Sequence, residues 1–242
     1  MANKVIYLRW GNRYTKDHVA RLEEQVKNNC SVPYEFVTMN HCYAGPFYDR
    51  LSHYQKNEYR GKDDVEESTS IQNNFLREDL GGLAHFQKIL MFRYDREYFD
   101  SSDKLLYIDL DSNIKGDLAY FFNLPIERPM IAFDWDAYDN NKWQHTYTTR
   151  AHPLYNSSVL LWKPYFCDLV WMDLHKTAWA SFYQFGMFDN WLFHRFGPWA
   201  YNTDNKDFFI PFDRDIISKS GIIETMSGTT LEDKIECLKH MK

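Results

Sequence analysis

The spacing of apolar residues changes period several times along this chain. Residues 4–8 (KVIYL) form a short β-rich run, followed by a polar turn, WGNRY. From Thr15 the period becomes helical, with Val19, Leu22 and Val26 recurring through about Asn28. Residues 34–39 (YEFVTM) read as a second strand. The chain therefore opens β-loop-α-β, the start of a parallel sheet.

Residues 54–80 are polar and poorly periodic, with an acidic run at 63–67 (DDVEE). Core-like sequence resumes at once, so this stretch predicts an excursion or mobile loop rather than a linker. Residues 81–95 (GGLAHFQKILMFRYD) predict a helix after paired glycines, with Phe86, Ile89, Leu90 and Tyr94 on one face. A strand follows in LLYIDLDSN (105–113), then a short helix in LAYFFNL (118–124). MIAFD (130–134) and NSSVLLW (156–162) read as strands, with helices over about 168–177 and 187–196. The tail from about residue 218 is weakly patterned, and no internal repeat or low-complexity tract interrupts the chain. The expected architecture is one α/β domain over residues 1–242, with a Rossmann-like, mostly parallel central sheet flanked by helices.

Composition narrows the function classes. Of 242 residues, 44% are apolar and 26% charged, an ordinary globular balance. Aromatics reach 18%, enough to fill a core and still line a pocket for a sugar ring or base. A formal net charge of −6 excludes polyanion binding by bulk attraction and leaves local basic patches open. Cys30, Cys42, Cys167 and Cys237 are scattered without CxxC spacing, so neither zinc nor a disulfide framework is expected. No apolar run approaches membrane-span length, and the first residues do not begin a signal peptide. A cytoplasmic location is expected on that basis, and the glycosylation-acceptor pattern at Asn156 is discounted.

The main chemical candidate is the pair Asp109 and Asp111, at the end of the most apolar strand. In a strand, residues i and i+2 share a face. If the strand persists that far, both carboxylates aim together at its carboxyl end, where open α/β sheets bind ligands. Two such carboxylates repel each other unless a cation neutralises them. Oxygen-only ligands suit Mg²⁺ or Mn²⁺, which take their remaining ligands from phosphates and water.

The segment DKLLYIDLDSNIKGDLAYFF resembles the strand-DxD-helix segment of GT-A fold glycosyltransferases, and most closely that of glycogenin and its relatives. The resemblance extends in order over roughly the first 200 residues, and small bacteriophage-encoded glycosyltransferases look similar. It implies a single GT-A-like domain and transfer of a sugar from a nucleotide sugar, a UDP-sugar, with retention at the anomeric carbon. It also implies roles by position. WGNRYTKDHV resembles the first loop, in which Tyr14 stacks on uracil, with Leu8 and Trp10 on the same nucleotide side. AHFQKILMF resembles the helix that brings a lysine, here Lys88, to the donor phosphates. YNSSVLLW gives Asn156 at the donor sugar, and GMFDNWLF gives Asp189 at the transferred sugar. Asp109 and Asp111 are the implied metal ligands, with Asp109 also on the nucleotide. The family's late histidine-containing stretch has no clean match here. Lys219 is offered as the phosphate-binding lysine and His240 as the third metal ligand.

Two stretches interleave basic and aromatic residues: 50–62 (RLSHYQKNEYRGK, with Arg50, Lys56, Arg60 and Lys62) and 142–152 (KWQHTYTTRAH), the second just before Asn156 and so expected to border the acceptor side. They suit a nucleic-acid strand by phosphate neutralisation and base stacking, and a sugar-phosphate glycan nearly as well. The acceptor classes are thus a glycan or a hydroxylated base in DNA, the latter requiring base flipping. A nucleotidyltransferase is the alternative enzyme. A non-catalytic nucleic-acid or glycan binder of the same fold is the alternative without turnover.

Overall fold

The computed structural model describes residues 1–9, 14–39, 88–89, 91–92, 99–140, 153–198, 200 and 205–225. Trp10, His240 and both basic-aromatic stretches lie outside the described residues, as does most of the predicted 81–95 helix.

The opening follows the predicted β-loop-α-β order: β1 (Asn3–Leu8), α1 (Lys16–Asn28) and β2 (Glu35–Met39). Thr15 caps α1, and its N–H donates to His18 Nδ1 at 3.0 Å. Next come β3 (Lys104–Ile108), β4 (Asn113–Ile114), α2 (Ala119–Asn123), β5 (Met130–Phe133) and α3 (Trp135–Asp139). The rest of the described order is β6 (Tyr155–Trp162), α4 (Asp168–Phe185), α5 (Phe188–Phe196), β7 (Ile210–Pro211) and β8 (Ile223–Glu224).

Among the described residues the central sheet has six strands, in the order β2-β1-β3-β6-β5-β7. Pairs β1/β2, β1/β3 and β5/β7 are parallel, and β6 runs against both of its neighbours. The carboxyl ends of β1, β3 and β5 therefore share one edge with the start of β6. Apolar cores cover both faces, which is why β1 and β3 read as continuous apolar runs rather than alternating ones. Ile6, Leu105, Leu160 and Trp162 face one side with Trp191 and Phe196 of α5. Val5, Leu106, Val159 and Leu161 face the other with Leu22 and Val26 of α1.

Three local features depart from the sequence expectation. Strand β3 stops at Ile108, before either aspartate. Asp109 keeps one sheet bond, donating its N–H to Ser158 O at 2.8 Å, and Ser112 N–H then closes a turn on Asp109 O at 3.0 Å. Asp111 is thus presented by a turn and not by strand alternation. Helix α4 runs on to Phe185, well past Thr177, whose hydroxyl bonds back to Asp173 O at 2.8 Å and is satisfied within the helix. Gly186, at φ 70°, ends it in the left-handed conformation that glycine adopts without steric cost. Finally, the weakly patterned tail contains β8, which pairs antiparallel with β4, directly behind the Asp111 turn. Lys115 and Glu224 clasp the two at 2.6 Å.

Candidate active site

The shared sheet edge gathers most of the described candidate residues. Asp109, one residue beyond β3, follows Tyr107 by strand alternation and accepts a hydrogen bond from the Tyr107 hydroxyl through Oδ1. Its Oδ2 accepts from Lys88 Nζ at 2.7 Å. Lys88 is buried in a short turn ahead of the helical Met91 and Phe92. It also donates to Ser157 Oγ at 3.1 Å and Ser157 O at 3.3 Å, and lies 5.7 Å over the Tyr107 ring. Burial works against its charge, but Asp109, Asp189 and Asp111 outweigh that and hold the ammonium above its usual range. Burial, and then Asp109, drive the Tyr107 hydroxyl well up, so it remains a donor.

Ser157 joins this group to Asp189. Both its N–H, at 3.1 Å, and its hydroxyl donate to Asp189 Oδ1 in the first turn of α5. A β-bulge makes this possible. Ile131 pairs with Leu160 but Ala132 pairs with Asn156, so residues 157–159 are extra on the β5 side of β6. Such an insertion re-aims a side chain at a strand end. Asn156, next to it, folds its Oδ1 back onto Ser158 N–H at 2.9 Å.

Asp111 occupies a different setting. It is 4% exposed, and its Oδ2 accepts from the Tyr14 hydroxyl at 2.9 Å. The Tyr14 ring lies edge-on to His18 at 5.6 Å, at the entry to α1. Arg21, one turn further on, donates through Nη2 to the carbonyls of Leu110 at 2.6 Å and Ser112 at 3.1 Å. Burial lowers the Arg21 pKa, with Asp111 and Tyr14 opposing, and the guanidinium stays charged.

Asp109, Asp111, Lys88, Asp189, Tyr14 and Asn156 therefore come to one edge. Leu8 ends β1 at that edge with its side chain in the core. Lys219 is exposed on the approach to β8, where its carbonyl accepts from Lys115 Nζ at 2.8 Å. Ser157, Tyr107 and Arg21 were not singled out in the sequence. A serine at a strand start, a tyrosine inside an apolar strand and an arginine on an amphipathic helix each read as ordinary. Among the described residues no group of three or more His, Cys, Asp or Glu could hold a metal ion. The donors present are the carboxylate oxygens of Asp109 and Asp111. They fit a hard divalent cation that draws its other ligands from phosphate and water, and they do not form a closed protein cage.

No family model matches the chain, and no curated protein matches it in sequence. Solved structures do match it in shape. A glycosyltransferase involved in the glycosylation of the major capsid of PBCV-1 superposes with a TM-score of 0.56 at 11% identity, over 100% of both chains. The bifunctional glycosyltransferase WbbM gives 0.53 at 13% identity, over 99% of this chain but 50% of its own length. An active-site mutant of LgtC gives 0.52 at 12% identity, over 98% of this chain and 95% of its own. The chain has the GT-A fold. Identities this low speak to the fold alone. Within the GT-A fold of this chain, the edge bearing Asp109 and Asp111 lies at the carboxyl end of β3, where doubly wound sheets take their ligands.

Proposed function

We propose that this chain is a metal-dependent glycosyltransferase that moves a sugar from a UDP-sugar to an acceptor hydroxyl, retaining the anomeric configuration. The observation that carries this is the convergence, on the ligand-binding edge of a GT-A sheet, of Asp111 with a network in which Ser157 links Asp109-bound Lys88 to Asp189. The glycogenin-like resemblance supports retention, and its first loop, with Tyr14, supports the uridine donor.

Asp109 and Asp111 would hold Mn²⁺ or Mg²⁺. Bound there, the ion would neutralise charge developing on the diphosphate leaving group. Tyr107 and Lys88 fix Asp109 from two sides. Lys88 adds a buried positive charge that needs an anionic partner, and donor phosphates supply one in addition to Asp109. Asp189, held by Ser157, and Asn156 orient the transferred sugar. Tyr14 presents its ring to the base while its hydroxyl steadies Asp111. Lys219 and His240 are proposed to close the site over the diphosphate. The acceptor is a glycan or a hydroxylated base in DNA.

Incubation with UDP-sugars and Mn²⁺, with and without chelator, tests this by product analysis. Chelator-sensitive release of UDP is expected. Release of pyrophosphate from a nucleoside triphosphate would point to a nucleotidyltransferase instead. Acceptor binding without any donor turnover would point to a binding protein of the same fold.

A further inference from the structure

We propose that Arg21 is the positioning residue for Asp111: its guanidinium grips the backbone on both sides of the aspartate, so that an incoming donor meets a preset carboxylate. This rests on the donor-site proposal above.

The strand that delivers the pair ends at Ile108, so sheet pairing cannot fix Asp111. Helix α1 does so instead. Arg21 Nη2 holds the carbonyls of Leu110 and Ser112, the two peptide groups flanking Asp111. Its Nη1 donates to Gln25 Oε1 at 3.4 Å. Gln25, four residues on and so on the same helix face, continues the strap. It accepts from Ile114 N–H at 3.2 Å and donates to Asn113 Oδ1 at 2.7 Å. Tyr14 takes the carboxylate itself at 2.9 Å, just ahead of the same helix. Helix α1 and the residue just ahead of its cap therefore hold both the backbone flanking Asp111 and its side chain. A planar fork held by two carbonyls is directional in a way that a lysine ammonium is not. The guanidinium charge also offsets the buried negative charge of Asp111.

The test is thermal melting of the full chain at saturating UDP, titrated with Mn²⁺. In the wild-type chain a Mn²⁺-dependent rise in melting temperature is expected. Arg21→Met keeps the apolar stem and loses the fork, and should need on the order of 10-fold more Mn²⁺ to reach half of the rise. Arg21→Lys should recover part of that loss. Leu22→Ala removes core packing from the same helix, and should lower the melting temperature with the Mn²⁺ midpoint unmoved. A wild-type midpoint in Arg21→Met overturns the proposal. So does an equal midpoint shift in Leu22→Ala, which would make the effect one of general helix stability. If Arg21→Met does not fold, Arg21→Lys decides: a raised midpoint supports the role and an unchanged one overturns it. A wild-type chain with no Mn²⁺-dependent rise overturns the donor site itself, and the role of Arg21 with it.

Discussion

Asp109 and Asp111 are two residues apart, yet they belong to different structural regimes. Asp109, one residue past β3, keeps a sheet bond: its N–H pairs with β6, its neighbours are a buried lysine and tyrosine, and Lys88 and Ser157 tie it to α5. Asp111 belongs to a turn gripped by α1 and backed by β8. The first carboxylate is thus part of a charge network that the core depends on. The second is held from outside the sheet, by Tyr14 on its carboxylate and by Arg21 on the carbonyls either side of it. Two aspartates with one motif name should therefore fail in different ways.

The largest expected effect is on activity at Asp111. Asp111→Asn should lower transfer on the order of 10³-fold, with a melting temperature close to that of the wild-type chain. Equal activity in the variant would remove Asp111 from the donor site. At Asp109 the dominant loss should be stability. Asp109→Ala leaves Lys88 buried without its carboxylate, a penalty of about 3 kcal/mol. For a chain of this length that is a fall in melting temperature on the order of 10 °C. A calorimetric scan that matches the wild-type chain would show that the Lys88–Asp109 pair is not structural.

A smaller effect probes the backing of the Asp111 turn. A Cβ added at Gly221 would come within 2.5 Å of the carbonyl oxygens of Asp215 and Ile216, ahead of β8. Gly221→Ala should cost about 1–3 kcal/mol and raise the Mn²⁺ needed for nucleotide-dependent stabilisation. An unshifted melting curve would show that the β4/β8 pairing is dispensable. The smallest effect concerns α5, which carries Asp189. Burial lowers the pKa of His194 on that helix, where its ring stacks on Phe185 at 5.5 Å. The unfolded chain then binds the proton first as pH falls, so stability contributed by neutral His194 declines below about pH 6.5. His194→Gln should flatten the fall in melting temperature between about pH 7 and 5. An unchanged slope would assign that fall to other groups.

What could be read in the sequence follows from the same contrast. Strands β1 and β3 are buried on both faces, and their apolar runs mark them plainly. Thr15 marks the start of α1. The Asp109 side was partly legible because Lys88 stands among apolar neighbours, where a charge needs a partner. Ser157 was not, because a bulge several residues long turns it inward and no local pattern announces that register shift. On the Asp111 side, β4 and β8 are two residues each, too short to show a period. Arg21 and Gln25 were not singled out on α1, because their partners lie about 90 residues away in sequence. Tertiary contacts of that range are set by the sheet order and leave no trace in local spacing.

The most direct measurement is thermal melting with UDP, with and without Mn²⁺, in the wild-type chain and in Asp111→Asn. A ligand at about a hundred times its Kd adds about 2.7 kcal/mol to the folded state. A Mn²⁺-dependent rise in the wild-type chain that disappears in Asp111→Asn is the predicted result. No rise with UDP or any UDP-sugar, or a rise that Asp111→Asn leaves intact, would contradict a donor site at this edge of the sheet.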